Sequence, residues 1–259
     1  MSLPEFAPPL TAPDALPATL RRQGYAVADS LFTHALAAAD TQVLGALARE
    51  WDELPTDPYL KDGGHYRRRR HASYVVHAER CERVTHRAHF QPPQYNALHG
   101  GMRRWFSPIE PALEEAPAFG RLLLGLGALF TRLKPAVATS RDDAERGQRW
   151  YVEAHQFRIG TDDGIGRPTP EGAHRDGVDF VALFLIARSH IRGGETRVFD
   201  AHRPEGLRFT LSEPWSVLIL DDERVIHETT PIQPDGESVD KPHRDTLVLT
   251  YRREGFQDP

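Results

Sequence analysis

His174 and Asp176 stand two residues apart in the segment PEGAHRDGVDF. In extended backbone, alternate side chains leave on the same face, so an H-x-D pair presents one imidazole and one carboxylate to a common point. A third ligand has to come from another strand. His227, in DDERVIHETTPI, follows far enough along for several strands to intervene before the chain returns to the same pocket. Two histidines and one carboxylate on one face leave octahedral positions open, the donor set of a non-haem Fe(II) centre. The pair alone has low specificity in a chain with 13 histidines. Its ordinary reading puts His174 in a surface loop and His227 on a strand edge.

Arg244-Asp245-Thr246 opens the last strand-like run, DTLVLTY. Arg244 and Thr246 share a face if the strand begins there, which sets a guanidinium fork and a hydroxyl beside the pocket. Such a fork matches a carboxylate bidentately. Taken alone, an edge-strand arginine in a surface ion pair is the commoner arrangement. Taken with the H-x-D pair and the distal histidine, the pattern looks like the 2-oxoglutarate/Fe(II) dioxygenases of the double-stranded β-helix fold. More closely, the run from Pro170 to Arg252 resembles the bacterial family of free L-amino-acid hydroxylases that includes L-isoleucine 4-hydroxylase and the BsmA-type proteins. PEGAHRDGVDFV, GGETRVFD, VIHETTPI and RDTLVLTYR carry the resemblance, while GYAV, HYRRRRHASY and QPPQYNALHGGMRRWF in the N-terminal half match loosely.

That resemblance implies that His174, Asp176 and His227 hold catalytic iron, and that Arg244 binds the distal carboxylate of 2-oxoglutarate with Thr246 assisting. It implies a dioxygenase that consumes molecular oxygen, decarboxylates 2-oxoglutarate to succinate and hydroxylates a small molecule, with a free L-amino acid as the leading substrate. Iron and cosubstrate supply this chemistry, so the lack of a Ser-His-Asp or Cys-His set does not count against an enzyme. The interval from His227 to Arg244 is longer than in many members of the wider superfamily, and the polar insert QPDGESVDKPH accounts for it as a hairpin loop. Arg252 and Arg253 fall at the far end of the strand and rank behind Arg244. A competing class is a cupin-like binding or stress- and biofilm-related protein that keeps the metal pocket without turnover. A third is a cofactor-independent cupin-like oxygenase, which has no use for an arginine holding a second carboxylate.

Other residues give weaker signals. In HYRRRRHASYVV, alternation sends two of the four arginines Arg67 to Arg70 inward and two to solvent; a solvated face is the plainer reading, and an inward arginine receiving a substrate carboxylate is the sharper one. His77, Cys81, His86 and His89 superficially suggest zinc, but no CxxC accompanies them. Gln91, Tyr95, Asn96 and Arg104 lie in a Gly- and Pro-containing segment that reads either as a lid or as a self-bonded loop. Gln156 and Arg158, alternate on one strand, are candidate substrate contacts together with Asn96, subject to a register that the sequence leaves open.

These side chains need a scaffold. Beyond Ser30, LFTHALAAADTQVLGALAREWDEL has apolar residues at helical spacing, with Ser30 as the expected cap. A second helix is expected from Ser107-Pro108-Ile109-Glu110, continuing brokenly to Leu133. GYAVA reads as a short strand. From Arg149 onward come WYVEAHQFRI, DFVALFLIA, TRVFDA, LRFTL, SVLILDD, VIHETTPI and DTLVLTYRR, short strands bounded by Gly, Pro and Asp. The expected class is α+β, mainly β: a jelly-roll or cupin-like barrel, the double-stranded β-helix, with a helical N-terminal portion. Its parts are a mixed region over 1–148, opening on a Pro-rich arm and covering the barrel mouth, and a β core over 149–259, folding as one unit.

Bulk properties set outer bounds. The 259 residues carry a formal charge of -5, which argues against a nucleic-acid partner. A single cysteine, Cys81, cannot form an intrachain disulfide. No apolar run is long enough to span a membrane. The N-terminus lacks a basic region followed by an apolar run, and Arg21-Arg22 is not followed by an export core, so a cytoplasmic protein is expected.

Overall fold

The computed structural model describes residues 6–135, 147–236 and 241–259. Its strands are β1 (Tyr25–Ala28), β2 (Arg67–His77), β3 (Arg80–Arg83), β4 (Arg149–Gly160), β5 (Phe180–Ser189), β6 (Ile191–Gly193), β7 (Thr196–Asp200), β8 (Gly206–Phe209), β9 (Val217–Asp221), β10 (Val225–Thr229), β11 (Ile232–Pro234) and β12 (His243–Arg252). Seven form an antiparallel sheet in the order β1-β9-β5-β12-β4-β2-β3. Two smaller antiparallel sheets, β10-β7-β8 and β11-β6, are extended by single bridges from His174 to His227 and from Gly166 to Ile232. The protein is mainly β, and its helices are short: α1 (Leu16–Gln23), α2 (Ser30–Ala37), α3 (Thr41–Ala48), α4 (Pro111–Glu114) and the longer α5 (Pro117–Leu133).

Strand alternation puts a large apolar cluster on each face of the large sheet, with a smaller third cluster at Tyr66, Ile159, Ile191 and Ile232. Val152, Ala154, Phe180, Phe184, Leu247 and Tyr251 face the helices, where Phe130 of α5 stacks on Phe180 with ring centroids 4.3 Å apart. On the other face Val181, Leu183 and Leu185 pack with Val198, Phe209 and Val225 of the small sheets. The polar cavity described below opens on this second face. β1, β2 and β3 belong to the large sheet although they precede residue 149.

The strands form where β-branched and aromatic residues alternate, and each anticipated run is present. The helices differ in detail. The expected helix after Ser30 is two helices, because Ala38 adopts a left-handed conformation (φ 44°) and Asp40 caps a fresh start through the Val43 N–H. Asp29, not Ser30, caps α2, accepting from the Phe32 N–H. The helix expected from Ser107 begins later, at Pro111. Ser107 instead gives its carbonyl to the N–H of His71, tying this segment to β2. VIHETTPI splits into β10 and β11 at Thr230-Pro231, and the halves join different sheets. Residues 1–5 of the Pro-rich arm and 237–240 of the insert lie outside the described residues; Phe6 and Thr11 bond to Thr210 and Val27. No helix is long and apolar enough to cross a membrane.

Candidate metal centre and its cavity

His174 and His227 are directly paired across two backbone hydrogen bonds, N–H to carbonyl at 3.0 and 2.9 Å in the two directions. Pairing places both side chains on one face, their rings 4.6 Å apart. Asp176, two residues on, joins them: its Oδ1 is 3.8 Å from His174 Nε2 and its Oδ2 is 3.9 Å from His227 Nε2. One ligand atom from each of the three lies within 4.8 Å of the others, a separation suited to a shared divalent ion. Nδ1 of His174 donates to the Gly172 carbonyl at 2.9 Å, leaving Nε2 as the acceptor turned toward Asp176.

The electrostatics suit a cation. Burial holds His227 well below the usual imidazole range, so it is neutral, with a lone pair to offer. Burial also lowers His174, but the carboxylates of Asp176 and Glu171 outweigh it and raise the net value. Asp176 is itself raised by burial, and Asp222 beside it is pushed up to about 7 by burial and by Asp176. Carboxylates crowded in this way are relieved by a metal dication.

The Asp176 turn is fixed on three sides. Asp222 accepts the backbone N–H groups of Asp176, Gly177 and Val178 at 3.0, 2.8 and 3.1 Å. Gln257, from the C-terminal tail, donates to the carbonyls of Asp176 and Gly177 at 3.1 and 2.8 Å. Gln91 donates to Asp176 Oδ1 at 3.0 Å. Gly177 has φ +76°, and a Cβ there would run into the Tyr95 ring, so a larger residue fits neither the backbone nor the space.

The three metal-site side chains open into a cavity walled by β2, β4, β5 and β12. Arg244 and Thr246 line it together. The Arg244 guanidinium is 2% exposed, its Nε and one terminal nitrogen have no hydrogen-bond partner among the described residues, and it makes no ion pair there. Burial, and the charge of Arg188 nearby, push it down to about 10. A buried guanidinium without a counter-carboxylate is costly, so an entering carboxylate completes the site.

Register decides the other candidates. Ile159, Phe157, His155 and Glu153 of β4 pair with Arg244, Thr246, Val248 and Thr250 of β12, and all face the cavity. Gln156 and Arg158, in the alternate phase, are turned to the opposite face, which corrects their sequence-based placement beside substrate. Gln156 donates to the Glu50 carbonyl at 3.1 Å, and Arg158 is clamped by Asp245 at 2.8 and 2.7 Å. Asn96 does line the cavity, with its amide donating to Gln91 Oε1 at 3.1 Å and its oxygen accepting the His99 N–H at 2.7 Å.

Further along the same wall, β2 turns Arg67 and Arg69 inward, both buried, and Arg104 joins them. Four more buried groups, His71, His89, Glu153 and His155, converge beside these arginines. Their ligand atoms are as close as those of the first trio, yet most are already engaged by neighbouring protein groups; among these four residues Nδ1 of His71 is buried without a partner. Glu153 accepts from His71, His89 and Arg87, and His155 Nδ1 accepts from Arg69 at 2.7 Å. A guanidinium at that distance repels a second cation. The grouping of His77, Cys81, His86 and His89 does not converge; His89 belongs to the Glu153 cluster. Glu153 and His155 are visible in sequence as E-x-H, but Asp222, Glu171 and Gln257 carried no signal, because single acidic or amide residues in loops acquire meaning only from what lies across space.

Residues 48–250 match the sequence profile of a family described as 2OG-Fe dioxygenase. The chain belongs to this family. It is accordingly a 2-oxoglutarate-dependent dioxygenase, with Fe(II) and 2-oxoglutarate as cofactors. The crystal structure of a bsmA homolog from Methylobium petroleophilum PM1 is 49% identical, with a TM-score of 0.86 over 96% of each chain. Two more distant structures share the fold. IDO from Bacillus thuringiensis is 17% identical, with a TM-score of 0.72 over 93% of this dioxygenase and 99% of that chain. TqaL, named as an Fe(II)/α-ketoglutarate-dependent dioxygenase, is 20% identical, with a TM-score of 0.68 over 93% and 86%. No curated protein sequence matches the dioxygenase.

Proposed function

We propose that this dioxygenase holds Fe(II) on His174, Asp176 and His227, binds 2-oxoglutarate through Arg244 and Thr246, and hydroxylates a free L-amino acid. In this reading the large sheet and the two smaller ones make up the jelly roll around that centre. Bound iron and 2-oxoglutarate supply the oxidative chemistry, with molecular oxygen consumed and succinate released. The chain's own residues supply position and charge. Arg244 receives the distal carboxylate, the Thr246 hydroxyl adds a hydrogen bond, and the apolar Val181, Leu183 and Val248 exclude water from the carbon chain between.

One observation carries the amino-acid reading. Oε2 of Glu171 is buried in the wall of this cavity without a partner among the described residues, and Oε1 of the same carboxylate is 3.6 Å from His174 Nε2. Arg67, Arg69 and Arg104 line the same cavity. A carboxylate and guanidiniums facing one space suit the ammonium and carboxylate of an α-amino acid. The test is succinate formation with Fe(II), 2-oxoglutarate and air across the common L-amino acids. Turnover that requires both iron and one amino acid supports the reading. Absence of stimulated turnover with every amino acid overturns it.

A further inference from the structure

The arginine wall has more charge than a neutral amino acid needs. Arg67, Arg69 and Arg104 are 5%, 4% and 2% exposed, and Asp57 is the one carboxylate within ion-pair distance of any of them among the described residues, 2.7 Å from Arg67 and 3.9 Å from Arg69. Arg69 is clamped in plane, its guanidinium carbon 3.7 Å from the centre of the Phe106 ring and 4.4 Å from that of Phe157. Among the described residues the Arg104 side chain bonds only the neutral oxygen of Gln91, at 3.0 Å. Nitrogens of all three are buried with no acceptor. Glu153 offsets them only in part, because Arg87 is also paired to it at 3.1 Å. Buried guanidiniums left unpaired are costly, so the fold tolerates this excess where an anion completes it. Arg104 itself is bridged to His89 through the backbone, bonds Gln91 and lies 5.8 Å from the Phe106 ring.

We infer that the substrate carries a second acidic group beyond its α-carboxylate, so that an acidic L-amino acid or a related dicarboxylate is preferred over a neutral aliphatic one. The inference rests on the proposed placement of iron and 2-oxoglutarate, since those occupy the Arg244 side of the cavity and leave the Arg67, Arg69 and Arg104 side for substrate. Through Gln91, Arg104 is one amide away from Asp176, so the anion it holds lies beside the oxidising centre.

The test is calorimetric titration of the protein loaded with Mn(II) and N-oxalylglycine, which fills the Arg244 side. L-Glutamate is compared with L-glutamine, and L-aspartate with L-asparagine, pairs that differ in charge and hardly in shape; L-leucine and L-isoleucine are titrated beside them. The expected result is that an acidic member binds at least tenfold tighter than its amide and than either aliphatic amino acid. Arg104→Gln is expected to bring that ratio close to one, with circular dichroism checking that the variant folds. Equal or tighter binding of the amides or aliphatic amino acids overturns the inference, as does failure of both acidic amino acids to bind. If Mn(II) and N-oxalylglycine themselves fail to bind, the proposed function fails instead, and the same ratio measured on metal-free protein still decides the anion site.

Discussion

The side-chain amide of Gln91 donates to Oδ1 of Asp176 at 3.0 Å, and its surroundings permit only that orientation. Its oxygen accepts from Asn96 and from Arg104, at 3.1 and 3.0 Å. Arginine has no acceptor to offer, so rotating the amide would set donor against donor. The carboxylate oxygen nearer His227 is thereby left for the proposed metal.

Gln91→Glu is therefore expected to weaken metal binding about tenfold or more, by replacing the donor with a second carboxylate, and Gln91→Ala to weaken it less. Fluorescence or calorimetric titration of the metal-free protein with Mn(II) reads this directly. Unchanged affinity in both variants removes Gln91 from the metal site.

Asp222→Asn keeps the shape but loses one of the oxygens that receive the N–H groups of Asp176, Gly177 and Val178. The expected outcome is a loss of metal affinity on the order of tenfold, accompanied by a lower melting temperature in the metal-loaded protein.

Arg244→Met removes the charge proposed to face the distal carboxylate of 2-oxoglutarate. Its dissociation constant is expected to rise on the order of 100-fold, in line with loss of a charge-assisted fork, while Mn(II) affinity stays near the wild-type value. Thr246→Val is expected to cost about fivefold in the same titration, the value of one neutral hydrogen bond.

Acid sensitivity is expected from the Glu153 cluster. Burial, with Arg104 and Arg69 nearby, holds His89 down to about 4 despite Glu153. An unfolded histidine takes up its proton near pH 6.5, so the folded state loses relative stability as pH falls from 6.5 toward 4. His71 and His155 are lowered by burial too and act in the same direction. Burial alone would raise Glu153, but its histidine partners hold it below the usual range, and its contribution is lost below about pH 4.5. Urea midpoints across this range should fall less steeply for His89→Gln than for wild type, by on the order of 2 kcal/mol between pH 7 and 4. Parallel curves would show that His89 is not the titrating group.

How much of this protein was legible in its sequence depends on how far apart the interacting groups are. Arg244-x-Thr246 could be read because it rests on strand alternation, which is local: residues two apart share a face wherever the strand is placed. H-x-D was picked out by the same reasoning, although His174 meets His227 through a single bridge and Asp176 lies outside any strand. The strands themselves were legible for the same reason. The phase of β4 relative to the cavity was not. Gln156 and Arg158 alternate as regularly as His155 and Phe157, and only the hydrogen-bonded register with β2 and β12 decides which set turns inward. The helix after Ser30 had the right periodicity, yet Ala38 and Asp40 break it in two so that α2 packs against α5. What the sequence alone supplied was the proposed donor set, His174, Asp176 and His227, and Arg244 as the arginine beside it. The tertiary structure decided what holds Asp176, through Gln91, Asp222 and Gln257, and gathered Arg67, Arg69 and Arg104 on one wall. Those groups come from segments distant in the chain, and the energy that selects their arrangement is that of burying charge, which no local pattern records.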